Sequence, residues 1–203
     1  MSAIALHGPA GKGRIGPNAI TQVAAVLPPM VGSRATLALF EAAGLAGYLR
    51  QAPQGMVDEA EVVRLHRVLR TELGGALAGD VARRAGVRTA DYLLANRIPK
   101  PVQLLLRLLP ARLAAWVLLR AITRHAWTFS GSGVFVAKVG RPVVLTIRNN
   151  PLCVATQSEQ PVCDFYAASF ERLFRVLVHP QARVTETDCE ACGASACRFE
   201  VRW

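Results

Sequence analysis

A chain of 203 residues, 52% hydrophobic and only 19% charged, is long enough to bury a core and too apolar to be disordered. Its mean hydropathy of +0.27 exceeds what a small domain needs, which points to an apolar pocket, a subunit face or membrane contact. Net charge is +10, and 21 of the 24 basic residues are arginines, so nucleic acid, anionic lipid and carboxylate-bearing ligands all enter as partner classes.

Residues 1–16 read as a flexible lead. The run H-G-P-A-G-K-G-R-I-G superficially suggests a phosphate loop, but it lacks G-x-x-x-x-G-K-[ST] and no strand precedes it. The lead also lacks the continuous apolar stretch of an export signal, so a cytoplasmic location is expected. Five cysteines in such a chain favour reduced thiols or a metal over disulfides.

Residues 17–124 read as a helical part. Pro17 and Asn18 open a helix that Pro28-Pro29 is expected to stop near Leu27. Gly32-Ser33 starts a second, running through Leu37, Phe40 and Leu45 to about Gly47. Pro53 to Gly55 is a turn. From Asp58 a helical period runs through Val62, Leu65, His66, Leu69 and Leu73 until Gly74-Gly75 breaks or kinks it. Ala76 to about Ala95 forms the next helix, Val102–Leu109 another, and Ala111 to about Arg124 the last. Arg107, Pro110, Arg112 and Arg120 interrupt the apolar run 102–122, which argues against a spanning helix and leaves in-plane or peripheral attachment open. No helix-turn-helix element or basic stripe is discernible, so nucleic acid is not an expected partner.

At His125 the pattern changes. Trp127, Phe129, Val134, Val136 and Val139, punctuated by glycines, read as a hairpin-rich start to a sheet, and Val143–Ile147 is a β-branched strand. Pro161 to Val178 is an amphipathic helix. Two strands around a cysteine-rich knuckle finish the chain. The fold class is therefore α+β: a helical N-terminal half followed by a ββ-α-ββ antiparallel-sheet unit over 125–203, in one compact domain.

Cys189, Cys192 and Cys197 fall within nine residues, and Cys163 opens the helix upstream. Zinc takes about four N, S or O ligands, so three thiolates from the knuckle plus Cys163 would suffice, and Glu186 offers a carboxylate nearby. Small buried thiols without metal are the bland alternative.

The C-terminal half resembles the 4-vinyl reductase domain family, related to aromatic-sensor domains of transcription activators and to vesicle-tethering TRAPP subunits. In its sensor members zinc is held by a cysteine, a glutamate 23 residues on, a cysteine three further and a last cysteine eight beyond. Cys163, Glu186, Cys189 and Cys197 stand at those intervals, which leaves Cys192 outside the set and an all-cysteine site as its competitor. Beyond that module, G-R-I-G-P-N-A-I, Y-L-L-A-N-R-I-P, H-A-W-T-F-S-G-S-G and N-N-P-L-C resemble the J-protein family of bacteriochlorophyll biosynthesis, long labelled a 4-vinyl reductase.

The family label implies reduction of a vinyl group on a chlorophyllide precursor. Such a step needs a hydride or electron carrier, yet the sequence holds neither G-x-G-x-x-G after a strand nor a ferredoxin-type cysteine run. A zinc site of three cysteines and one glutamate is closed and redox-silent. The expectation is instead a tetrapyrrole-binding carrier or accessory protein that hands a Mg-porphyrin between enzymes, with the vinyl reductase as alternative. His125 or His66 would ligate magnesium, Arg97 and Arg124 would meet propionates, and Trp127 and Phe129 would stack on the macrocycle. Each has a plainer role as core, rim or solvated residue. The resemblance also implies a homodimer, a partner such as a magnesium-insertion or methyltransferase enzyme, and a place peripheral to the photosynthetic membrane.

Overall fold

The computed structural model describes residues 13–203. In chain order these form β1 (Arg14–Ile15), α1 (Asn18–Val31), α2 (Ser33–Ala42), α3 (Gly47–Arg50), β2 (Val57–Asp58), α4 (Glu59–Asn96), α5 (Lys100–Leu108), α6 (Ala111–Arg124), α7 (Trp127–Ser130), β3 (Val134–Lys138), β4 (Val143–Arg148), α8 (Asp164–Leu177), β5 (Arg183–Asp188) and β6 (Cys197–Arg202). Short 3₁₀ turns follow β4 at Pro151–Cys153 and join β5 to β6 at Glu190–Cys192. The class is α+β as expected. The main sheet is antiparallel in the order β3-β4-β6-β5.

Period-2 alternation sets the sheet's buried face. Val143, Leu145 and Ile147 of β4 and Cys197, Phe199 and Val201 of β6 all point inward. They meet α8, whose Phe165, Tyr166, Phe170, Leu173, Phe174 and Leu177 are buried. On the other side of α8 lies α4, a helix of 38 residues capped by the Asp58 side chain, which accepts from the Ala60 N–H. The expected break falls at Gly74, whose φ of 74° and ψ of 162° are non-helical. One continuous core of buried residues joins the helical part to the sheet.

Four sequence expectations change. Residues 13–16, read as part of the flexible lead, form β1, which pairs with β2 through Arg14↔Asp58 and Ile15↔Val57. The rest of the lead, with most of the phosphate-loop-like run, lies outside the described residues. Pro28-Pro29 does not stop α1. The prolines remove two N–H donors from its last turns, but the helix runs on to Val31 and ends at Gly32, φ 84°, whose N–H bonds the Pro28 carbonyl. The second helix ends at Ala42 rather than near Gly47, where Gly44 takes φ 70°.

Trp127 and Phe129 are not on a strand. Backbone Ser130 N–H and the Ser130 hydroxyl both donate to the Ala126 carbonyl, at 2.8 and 2.9 Å, which closes a helical turn instead. That turn is fixed from three directions. Gly16 N–H donates to the Thr128 carbonyl at 2.7 Å and the Tyr166 hydroxyl to the Phe129 carbonyl at 2.7 Å. Glu59, at the head of α4, accepts from the Ser132 N–H and hydroxyl, both at 2.7 Å.

The α4–α8 contact depends on Gly86. A Cβ there would lie 2.3 Å from the Phe165 carbonyl oxygen, and the Ser169 hydroxyl donates to the Gly86 carbonyl at 3.0 Å. Gly86→Ala is expected to destabilise the protein by about 2 kcal/mol in denaturant unfolding, because two backbones must separate. Gly75→Ala, where a Cβ meets nothing within 4 Å, is the control and should be neutral or slightly stabilising.

Candidate metal centre

Four cysteine sulfurs converge at one end of the sheet: Cys153, Cys163, Cys189 and Cys197, all buried and all within 4.8 Å of one another. Each arrives on a different piece of backbone. β4 pairs Ile147 with Cys197 at the start of β6. The chain then turns through Asn149, φ 52°, and Asn150, and the following 3₁₀ turn ends on Cys153 beside Cys197. Cys163 caps α8. Cys189 follows β5, where an irregularity between Glu186 and Asp188 inserts one extra residue opposite β6. The bulge changes the alternation, so that Glu186 and Cys189 both turn toward the core.

Hydrogen bonds fix the arrangement. Glu190 accepts from the backbone N–H of Asn149 at 2.8 Å and of Asn150 at 2.7 Å. Fully buried Asn150 donates through Nδ2 to Cys163 Sγ at 3.2 Å, while its Oδ1 accepts from the Leu152 N–H at 3.0 Å. The Glu190 N–H points at Cys197 Sγ at 3.4 Å.

Sulfur separations run 3.4 Å for Cys153–Cys163, 3.4 Å for Cys153–Cys197, 3.6 Å for Cys163–Cys197, 3.7 Å for Cys153–Cys189 and 4.0 Å for Cys163–Cys189. None is a disulfide. A tetrahedron with metal–sulfur bonds of about 2.3 Å has sulfur edges of about 3.8 Å, so the four thiols are spaced to hold one tetrahedral ion. Packed this closely, they cannot all ionise without a cation. Hydrogen bonds from neighbouring sulfurs hold the Cys189 and Cys197 thiols below the ordinary thiol range and push Cys163 above it.

Three of the four residues singled out in the sequence, Cys163, Cys189 and Cys197, are thus brought together. The fourth, Glu186, stands beside the sulfurs. Its Oε2 accepts from the Cys163 N–H at 2.9 Å, its Oε1 is buried without a partner, and burial pushes its carboxyl up to about 9. Cys153 takes the fourth position. Sequence reasoning missed it because it lies 10 residues before Cys163, outside the knuckle. The Asn-Asn-Pro turn just ahead of it was the available signal. Cys192, the alternative thiol, is exposed.

A cavity of about 530 Å³ opens at the α4 kink, lined by His66, Arg70, Gly79, Arg83 and Val162 among others. Arg70 links it to the metal centre. Its guanidinium donates to the Leu152 carbonyl at 2.8 Å and the Thr156 hydroxyl at 3.1 Å, and its buried Nε has no partner. Arg83 pairs with Asp164 at 2.6 Å. Of the residues expected at a pigment, only His66 lines this cavity. Arg97, Arg124, His125 and Trp127 are exposed. Phe129 sits in an aromatic cluster, 5.2 Å from Phe135 and 6.0 Å from Phe170 between ring centres. A second cavity of about 410 Å³ lies between α1, α2 and α3, beside Tyr48.

Residues 143–203 match the family model of the vinyl-4-reductase domain. Over 195 residues the chain is 48% identical to the bacteriochlorophyll synthase 23 kDa chain of Cereibacter sphaeroides, covering 96% of this chain and 93% of that one. It is 40% identical to the Rhodobacter capsulatus protein of the same name, covering 92% and 85%. Solved H-NOX structures share the fold. One studied for heme distortion has a TM-score of 0.59 at 12% identity, over 93% of this chain and 95% of its own. The H-NOX protein from S. oneidensis in its Fe(II)NO state scores 0.51 at 12% identity, over 93% and 98%.

His66 is buried and bonds the Ala19 carbonyl at 3.2 Å, and burial, then the nearby Arg70 charge, lowers its pKa to about 4. The folded state therefore binds fewer protons than the unfolded chain between pH 6.5 and 4. Stability must fall as pH drops through that window, by up to about 3 kcal/mol. Chemical denaturation across this range should show the slope, and His66→Gln should flatten it.

Proposed function

The chain belongs to the family of the bacteriochlorophyll synthase 23 kDa chain, and from that premise we propose that it is a tetrapyrrole-binding accessory protein of bacteriochlorophyll biosynthesis. The observation that carries this is the 48% identity, which extends along nearly the whole chain rather than one module of it. The fold supports the reading, being shared with H-NOX proteins studied for the distortion of their heme.

The cavity at the α4 kink is the site we assign to the ligand. Its 530 Å³ falls within the range of small-molecule pockets. His66 is neutral at pH 7, the state in which imidazole ligates a metal such as magnesium. Arg70 and Arg83 bring guanidinium groups that match carboxylates in both charge and geometry. The protein binds the pigment in a cytoplasmic setting and passes it to a magnesium-insertion or methyltransferase enzyme of the pathway.

The four cysteines take zinc in this reading. Zinc held by four thiolates is coordinatively closed, so it supplies folding energy and no redox chemistry. Elemental analysis should give about one zinc per chain. Cys153→Ser should lose the metal and lower the melting temperature by about 10 °C. Glu186→Gln should keep it, and the reverse pattern would assign the fourth ligand to the carboxylate.

Titration of the purified protein with Mg-protoporphyrin, followed by absorbance and fluorescence, should show saturable binding that His66→Ala weakens by about tenfold. Addition of NADPH to the complex with divinyl protochlorophyllide should leave the spectrum unchanged. Time-dependent conversion to the monovinyl pigment would overturn the carrier reading in favour of the 4-vinyl reductase. Saturable binding indifferent to His66 would move the site while leaving the function standing.

A further inference from the structure

The arginines look scattered along the sequence, yet residues 92–158 contain nine basic residues and no Asp or Glu. The rest of the chain, with fifteen basic and fourteen acidic residues, is close to neutral. The positive field of the protein therefore originates from one stretch, and α5 and α6 lie within it.

α5 is inverted. Its buried residues are Gln103 and Leu106, and Gln103 Nε2 donates to the Leu94 and Ile98 carbonyls at the end of α4. The exposed side carries Val102, Leu104, Leu105 and Leu108, the last 76% accessible. On α6, Leu113 and Trp116 are also exposed, with the Arg120 guanidinium 5.6 Å above the Trp116 ring. Lys100, Arg112 and Arg124 are on the same two helices. Among the described residues no helix is long and apolar enough to cross a membrane, and α5 at nine residues spans only about 14 Å.

We propose that the α5–α6 hairpin docks in the plane of an anionic phospholipid surface. Leucines and a tryptophan beside arginines match an interface whose outer layer is negatively charged and whose next layer is hydrocarbon. Charge selects this occupant. A stretch without a single carboxylate meets no repulsion from lipid phosphates, and each basic group near the surface strengthens attachment. A nucleic-acid backbone would satisfy the arginines but leave the leucines in water. This inference stands independently of what the α4 cavity binds.

The test is flotation of the full-length protein with vesicles of phosphatidylcholine, with and without phosphatidylglycerol, at low and high salt. Binding should require phosphatidylglycerol and weaken with salt. Leu104→Glu/Leu108→Glu should reduce partitioning by about tenfold or more, without loss of the folded state, since both side chains are exposed. Absence of vesicle binding would overturn the proposal, as would binding that ignores the leucine substitutions. So would sedimentation velocity showing a dimer that the same substitutions dissociate, because the face would then belong to a second copy of the chain.

Discussion

Four thiols confined within 4.8 Å are the constraint on which the C-terminal half depends. Without a cation their charges repel and their protons must be shared among sulfurs at van der Waals distance. With one, they become a single coordinated knot. The knot joins the turn after β4, the residue that caps α8, the end of β5 and the start of β6. Every connection in the sheet-and-helix unit from β4 onward therefore passes through or beside it. Glu186, Asn150 and Glu190 add no sulfur, but they hold the backbone that aims the sulfurs.

The second organising element is α4, which touches each remaining part through a different residue. Glu59 fixes the loop after α7, and His66 meets the Ala19 carbonyl on α1. Arg70 reaches the turn that presents Cys153, Gly86 lets α8 approach, and Asp91 pairs with Arg172 at 2.7 Å. The break at Gly74 falls between the part of the helix that serves α1 and the part that serves α8. A straight helix would leave no cavity at that point. The opening that His66 and Arg70 line is thus a consequence of one residue's backbone angles.

Local signals carried the reading where they were strong. Asp58 as a cap, Gly74 as a break, the proline-bounded α6 and the strand 143–147 were legible because capping, glycine and β-branching act within a few residues. Signals failed where a distant partner decided. Trp127–Ser130 alternates like a strand but is helical because Gly16, Glu59 and Tyr166 hold its ends, and none of these is near it in sequence. The sequence runs around Gly16 and around His125–Gly133 each looked distinctive alone. In the folded chain they are two halves of one contact. Cys153 escaped for the same reason: a metal set whose members come from both sides of α8 is visible only once β4 and β6 are paired.

The inversion of α5 follows from a shortage at the end of α4. The last carbonyls of a helix have no intrahelical donor, and burying them unpaired costs more than leaving one leucine in water. Gln103 supplies two N–H groups to the Leu94 and Ile98 carbonyls, so the one neutral polar side chain of α5 turns inward. Its leucines must then face out. Buried glutamine is stable there because its donors and those carbonyls satisfy one another. The exposed leucines have no such compensation within the described chain. An arrangement that satisfies these polar groups while leaving Leu104, Leu105 and Leu108 in water gains stability only when an apolar phase covers them. The positive charge of residues 92–158 specifies which phase that is, because hydrocarbon lies directly beneath phosphate in a bilayer and nowhere on a typical protein surface.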